Sequence, residues 1–522
     1  MSLMLVIGGI RSGKSVRAEA LATATGRPVR YIATADPRDA SMAERIAAHA
    51  ARRPASWTTV EAQASLADVV GPGDGECLLI DGLGLWLART LEAAGTFADG
   101  GGANGAGAAV SREIEALIAA AVRRPVIVVA EEAGLGLLPP ERGARLWLDL
   151  LGEAVQRLAA AAERVELVVA GRPITLVSGT PASDGLREHG DLLVRPGDAD
   201  HAVNVLAGGP PPWLREELEA ALATQAGAYP DEQDAVAALA LLHGRECAEI
   251  VPTGGAAQAL WLLPAALRPT LAACVHPGFT EGDAALRTHG VPVARVVRDP
   301  ERGFALDPAA VPEAADLVLV GNPASPSGTL DPTAALLALR RPGRTLVVDE
   351  AFMDLVPGEP ASLVCDALPD VIVVRSLTKS LSIPGLRAGY AVAERPLADR
   401  LRAVRPPWSV NALALAALTV VAERPDALAA AAERATAERE DLSRRLASIS
   451  RLRAWPSSAN FCLVEVPDGP HVLRALRAAG IAVRPAASFP GLGPSHLRLT
   501  ARDPEQNARL AEALAQAVAA CR

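Results

Sequence analysis

Met4-Leu-Val-Ile7-Gly8-Gly9-Ile10-Arg11-Ser12-Gly13-Lys14-Ser15 stands at the start of the chain and decides how its first part folds. An apolar run, then Gly-x4-Gly-Lys-Ser, then an alanine-rich helical stretch is the strand–loop–helix order in which this loop grips phosphate. Gly8, Gly9 and Gly13 let backbone N–H groups turn inward, with Arg11 and Ser12 between them. Lys14 sets a positive charge against β- and γ-phosphates, and Ser15 is a ligand for Mg²⁺. Asp81 ends the run Cys77–Ile80 and is placed to hold the same Mg²⁺. The expected ligand is a nucleoside triphosphate, GTP or ATP.

Working outward, Val126–Val129 and Val165–Val169 repeat the short, β-branched, nearly continuous pattern of Met4–Ile7 and Cys77–Ile80. Such runs belong to a parallel sheet buried on both faces, with helices between. Residues 1–180 therefore read as an α/β domain around the phosphate loop. The glycine-rich tract Thr96–Ala109 reads as a surface loop, and Ser178–Asp184 as a linker. Beyond it, residues 185–522 carry a second α/β series at Glu249–Val251, Leu271–Val275, Leu317–Val320, Thr345–Val348 and Val371–Val374. Ala412–Leu446 is helical, and strands at Phe461–Val466 and His496–Leu499 close a smaller C-terminal α+β lobe.

Composition bounds the function. At 522 residues the chain exceeds one ordinary core, and 50% hydrophobic with 21% charged residues is globular. A net charge of −9 without a basic cluster argues against nucleic acid as partner. No apolar run reaches the roughly 18–20 residues of a membrane span, and Met1–Ile7 lacks the basic region of a signal peptide. The six scattered cysteines read as buried thiols. A cytoplasmic enzyme is expected, working on small molecules.

The second series carries its own chemistry. Ser376-Leu-Thr378-Lys379, followed by Gly385-Leu-Arg387, supplies an amine flanked by phosphate ligands, the pattern of a pyridoxal 5′-phosphate lysine. Ser376, Thr378 and Arg387 clamp the cofactor phosphate, and the N–H groups of Gly254, Gly255 and Ala256 add a helix start. Asp349, after Leu346–Val348, is the expected partner of the pyridine nitrogen. Asn322 is expected at the ring hydroxyl and Phe279 over the ring.

Two resemblances sharpen these readings. Gly8-Gly-x-Arg-Ser-Gly-Lys-Ser15, Tyr31-Ile-Ala-Thr-Ala35, Arg45-Ile-x-x-His49-x-x-x-Arg53-Pro-x-x-Trp57 and Gly134-Leu-Gly-Leu-Leu-Pro139 together resemble adenosylcobinamide kinase/adenosylcobinamide-phosphate guanylyltransferase. That resemblance gives His49 the guanylyl group, with Arg52 and Arg53 stabilising developing charge. It implies phosphorylation of adenosylcobinamide and transfer of GMP from GTP. The chain departs from the family's usual asparagine at Arg89, Glu131 and Val155, and from its arginine at Glu153. Carboxylates at Glu131 and Glu153 are expected to repel phosphate.

Residues 185–522 resemble the fold-type I pyridoxal-phosphate transferases, in their histidinol-phosphate aminotransferase-like branch. The resemblance assigns Arg498 to the substrate carboxylate and Tyr229 to the cofactor phosphate across a dimer interface, hence a homo-oligomer. Phe352 in Asp349-Glu-Ala-Phe352-Met-Asp354 matches the threonine-phosphate decarboxylases, where the aminotransferases carry tyrosine. Ser325 replaces a loop asparagine. L-threonine O-phosphate decarboxylation yields aminopropanol phosphate, the arm on which the first family acts. The two halves so read form one bifunctional cobalamin enzyme. The alternative is an aminotransferase with a nucleotide-binding regulatory or scaffold domain.

Overall fold

The computed structural model describes residues 3–35, 44, 47, 51–62, 65–71, 75–93, 103–134, 136, 139–178, 186 and 190–521. Residues 1–182 and 183–522 form two separate compact units.

The first unit is a seven-stranded sheet: β1 (Leu3–Gly8), β2 (Val29–Ala33), β3 (Thr58–Glu61), β4 (Cys77–Asp81), β5 (Val126–Glu131), β6 (Arg164–Val169) and β7 (Arg172–Ser178), in the order β3-β2-β4-β5-β1-β6-β7. All neighbours are parallel except β6 and β7. Alternate residues fill opposite faces. Leu3, Leu5 and Ile7 pack with Ile32, Leu78 and Val128 on one side, while Val6 packs with Tyr31, Leu79 and Val129 on the other. Burial on both faces explains the unbroken apolar runs.

The second unit begins with β8 (Ala199–His201) and continues through β9 (Ile250–Gly254), β10 (Ala272–His276), β11 (Val293–Val297), β12 (Leu317–Gly321), β13 (Thr345–Asp349), β14 (Val371–Ser376) and β15 (Ala388–Ala393). Strands β9–β15 make a sheet ordered β11-β10-β12-β13-β14-β15-β9, parallel from β11 to β14 and antiparallel thereafter. Gly389 is demanded where β15 passes the start of the helix Gly255–Leu267. A Cβ there would lie 2.8 Å from the Gly255 backbone and 2.9 Å from the Arg375 carbonyl. The C-terminal lobe is a five-stranded sheet of β16 (Arg453–Ala454), β17 (Phe461–Glu465), β18 (Ile481–Pro485) and β19 (His496–Thr500), ordered β16-β17-β19-β18-β8.

Several expectations need correction. Part of the glycine-rich tract is helix: Ala103–Ala120 is continuous, because its alanines favour helix and Val110, Ile114 and Leu117 bury at helical spacing. Ser178 ends β7 rather than starting a linker, and 179–185 lie outside the described residues. The helical stretch Ala412–Leu446 is two helices, Ala412–Ala422 and Pro425–Ala447, since proline is tolerated only in a first turn. The lobe is not purely C-terminal, because β8 pairs with β18. Cys247 and Cys365 are exposed, while Cys77, Cys274, Cys462 and Cys521 are buried. Among the described residues, no cluster of metal-binding side chains occurs and no helix is long and apolar enough to cross a membrane.

Candidate active sites

In the first unit the loop after β1 runs into the helix Lys14–Ala24 through Gly13, whose φ of 95° suits glycine. Arg11 also lies in the left-handed region and is exposed; Gly9 is exposed, and the buried Ser12 hydroxyl has no partner among the described residues. Lys14 Nζ donates to Gly9 O at 3.3 Å and lies 3.8 Å from Glu131 Oε1. Ser15 Oγ donates to Asp81 Oδ1 at 2.9 Å, so the two residues expected at a metal ion are together. The Tyr31 hydroxyl donates to the other Asp81 oxygen, and burial with that carboxylate pushes its pKa up. Arg53 lies 3.6 Å over the Tyr31 ring, while Arg52 pairs with Glu19 at 3.2 Å. His49 lies outside the described residues.

Three of the unusual residues have plain roles. Arg89 donates to the carbonyls of Thr34 and Ala62 at 3.1 and 3.2 Å, tying the ends of β2 and β3. Val155 packs against the core. Glu153 is exposed, where water screens its charge.

In the second unit the expected residues gather at the carboxyl ends of adjacent parallel strands, where ligands enter open α/β sheets. Phe279 follows β10, Asn322 follows β12, Asp349 ends β13, Ser376 ends β14, and Thr378 and Lys379 follow it. A pocket is lined by His276, Gly278, Phe279, Gly321 and Asp349 among others. Burial pushes the Asp349 carboxyl up to about 6, against the opposing pull of the Ala351 N–H and Lys379. Ser376 and Thr378 hydroxyls lie 2.7 Å apart. Arg387 Nη2 comes so near Gly255 that a Cβ there would sit 2.7 Å away. A buried carboxylate, an aromatic wall, two hydroxyls and an arginine beside a helix start fit pyridoxal phosphate.

Asn322 is fully buried, its Oδ1 accepting from Asp331 N at 2.8 Å and its Nδ2 donating to Asp331 O at 3.1 Å. Its second N–H is the one left to reach a ring hydroxyl. Tyr229 is 77% exposed and stacks on Trp408 at 4.5 Å, on the surface of this single chain.

A row of contacts joins the lysine to the arginine. Lys379 Nζ is 5.9 Å from the Phe352 ring, Phe352 packs edge-on to Phe461 at 5.1 Å, and Arg498 lies 5.3 Å over Phe461. Arg498 is 6% exposed and donates to Ala202 O at 2.7 Å and Ser325 Oγ at 3.3 Å. Among the described residues no carboxylate pairs with it, and its Nε is buried without a partner. Burial, then nearby Arg484, pulls its pKa down to about 9. A buried cation in this condition favours an incoming anion.

Two features escaped the sequence reading. Arg484 on β18 stands directly opposite Arg498 on β19 and is also buried. Behind the lysine loop, buried Arg375 meets Glu350 at 2.9 Å, and Asp354 and Glu359 at 2.8 Å. Ser380 donates to Asp354 at 3.2 Å, so the loop is anchored at both ends. An arginine interrupting the apolar run Val371–Val374-Arg375 was the available signal.

Known proteins match each of the two units. Residues 200–514 match the class I and II aminotransferase family. The chain belongs to that family. Residues 4–176 match cobinamide kinase / cobinamide phosphate guanyltransferase. The aminotransferase part is 44% identical to the histidinol-phosphate aminotransferase of Mycobacterium tuberculosis, across 60% of this chain and 87% of that one. It is 32% identical to the threonine-phosphate decarboxylase of Salmonella typhimurium, across 53% and 79%. The first unit is 41% identical to the bifunctional adenosylcobalamin biosynthesis protein CobP of Pseudomonas aeruginosa, across 33% and 95%. The crystal structure of L-threonine-O-3-phosphate decarboxylase from Porphyromonas gingivalis shares the fold, with a TM-score of 0.55, 24% identity, and coverage of 60% and 98%. Membership makes pyridoxal phosphate the cofactor of the second unit.

Asp349 also sets a pH signature in the cofactor-free protein. Its folded pKa is raised from 3.8 to about 6, so the folded state binds the proton more tightly than the unfolded chain. The site costs nothing below pH 4 and loses stability as pH rises through about 6. Asp349→Asn is expected to stabilise the apo-protein by on the order of 2–3 kcal/mol at pH 8, and by little at pH 4. Thermal unfolding at the two pH values checks this.

Proposed function

We propose that this chain is a bifunctional, cytoplasmic enzyme of cobalamin biosynthesis. The first domain, residues 1–180, phosphorylates adenosylcobinamide and then joins it to GMP from GTP. The second, residues 185–522, decarboxylates L-threonine O-phosphate to aminopropanol phosphate. The observation that carries the reading is the presence of both families in one chain. In this reading the two reactions meet at the aminopropanol arm of one corrinoid.

In the second domain, pyridoxal phosphate supplies an electron sink for the pair left when the carboxylate departs. Asp349 holds a proton at the ring nitrogen, and Phe279 covers the ring. Ser376, Thr378, Arg387 and the N–H groups of Gly254, Gly255 and Ala256 hold the phosphate. Tyr229 adds to that grip from a second copy, which makes the protein a homo-oligomer. Lys379 secures the cofactor and moves the proton at the substrate carbon. Arg498 fixes the carboxylate, and Arg484 beside it suits a substrate with a second anionic group, as a phosphorylated amino acid has. Phe352, between Lys379 and Phe461, sets the wall against which the substrate turns.

In the first domain, the N–H groups of Gly8–Gly13 and Lys14 hold the nucleotide phosphates. Ser15 and Asp81 hold Mg²⁺. A His49 ring nitrogen attacks the α-phosphate of GTP, pyrophosphate leaves, and Arg52 and Arg53 stabilise the charge. Incubation with GTP labelled at its α-phosphate is expected to label the protein. His49→Ala should abolish the label and leave carbon dioxide release intact; a variant that still takes up label contradicts the assignment.

The higher identity to the histidinol-phosphate aminotransferase, 44% against 32%, favours a second reading of the C-terminal half as an aminotransferase. It differs in one observable: the amino group would pass to an oxo acid and no carbon dioxide would be released.

A further inference from the structure

Glu131 ends β5, which lies between the strand of Asp81 and the strand of the phosphate loop. Its Oε2 accepts the Gly84 N–H at 2.9 Å and its Oε1 lies 3.8 Å from Lys14 Nζ. Gly84 is the second residue of the helix Leu83–Ala93, so its N–H is one of those a helix start leaves open. A Cβ at Gly84 would sit 2.4 Å from Glu131 Oε2 and 3.0 Å from the Trp147 ring. Only glycine admits the carboxylate here. Trp147 Nε1 donates to Gly84 O at 2.9 Å and fixes the same residue from its other side. The neighbouring Glu132 instead accepts from Gly134 N at 3.1 Å.

The phosphate loop's main cation is thus already facing a seated anion. Lys14 is only 5% exposed, and solvent screens the pair poorly. In such a loop the backbone N–H groups cradle the inner phosphates while the lysine reaches the β- and γ-phosphates. A triphosphate therefore brings one more phosphate, the γ, toward the Glu131 carboxylate than a diphosphate does.

We propose that Glu131 sets the loop's selectivity between nucleoside diphosphate and triphosphate. Its fixed carboxylate partly neutralises Lys14 and repels a γ-phosphate, so GTP gains little over GDP. This rests on the nucleotide-binding reading of the loop. Glu131→Gln keeps the shape and an acceptor for Gly84 N–H while removing the charge.

The test is calorimetric titration of the full-length, pyridoxal-loaded protein with Mg·GTP and Mg·GDP, wild type against Glu131→Gln. Thermal unfolding establishes that the variant is folded. GTP should bind about tenfold or more tightly in the variant, with GDP changing less than about threefold, the scale of a relieved like-charge contact. An unchanged GTP-to-GDP ratio, or weaker GTP binding, overturns the proposal. Binding of neither nucleotide by either folded protein overturns the nucleotide reading itself, and the proposal with it.

Discussion

Lys379→Ala is expected to abolish release of carbon dioxide from L-threonine O-phosphate, with a loss of at least about 10²–10⁴-fold. Lys379 lies in the loop after β14, whose penultimate residue Arg375 is bound to three carboxylates, and Ser380, next to the lysine, donates to one of them, Asp354. The backbone is also held where Lys379 O accepts from Leu206 N at 3.1 Å. Alanine leaves these anchors in place, so the fold should survive while the amine is lost. The absorbance of pyridoxal phosphate bound through lysine should vanish with the activity. Retention of both would remove Lys379 from the chemistry.

Arg498→Ala is expected to lower kcat/KM for L-threonine O-phosphate by about 30-fold to several thousand-fold, the scale of truncating one partner of a buried charge pair. Among the described residues no carboxylate pairs with the buried guanidinium, and its pKa is pulled down to about 9 by burial. Substrate carboxylate relieves that condition, so the loss should appear on substrate binding as well as turnover. Arg498→Lys should recover little, because a point charge cannot keep the contacts to Ala202 O and Ser325 Oγ while meeting a carboxylate with two parallel bonds. Steady-state kinetics of the two variants separates these effects. An Arg498→Ala enzyme with unchanged KM would place the carboxylate elsewhere.

The strands legible in the sequence were those written as nearly continuous β-branched apolar runs, such as Val126–Glu131 and Thr345–Asp349. Those missed lack such a run, even where, as in β15, every residue is buried. β15 is Ala-Gly-Tyr-Ala-Val-Ala, where close approach to Gly255 requires glycine in place of a β-branched residue. β11 is interrupted by Arg295, which pairs with buried Asp283 at 2.7 Å. β8 has three residues and takes its meaning only from pairing with β18. The catalytic positions were legible where chemistry is local, as in Ser376–Lys379 and Gly8–Ser15. Arg484 was not, since its importance comes from strand register against Arg498. Glu131 stands out in the sequence as a departure from the family's asparagine, but its seat against Gly84 and Trp147 depends on three distant segments.

Giving the purified, pyridoxal-loaded protein L-threonine O-phosphate in the presence of 2-oxoglutarate, and measuring carbon dioxide and glutamate together, separates decarboxylation from amino transfer. Carbon dioxide in step with aminopropanol phosphate, without glutamate, is the predicted result. Glutamate without carbon dioxide would contradict it and make the second domain an aminotransferase.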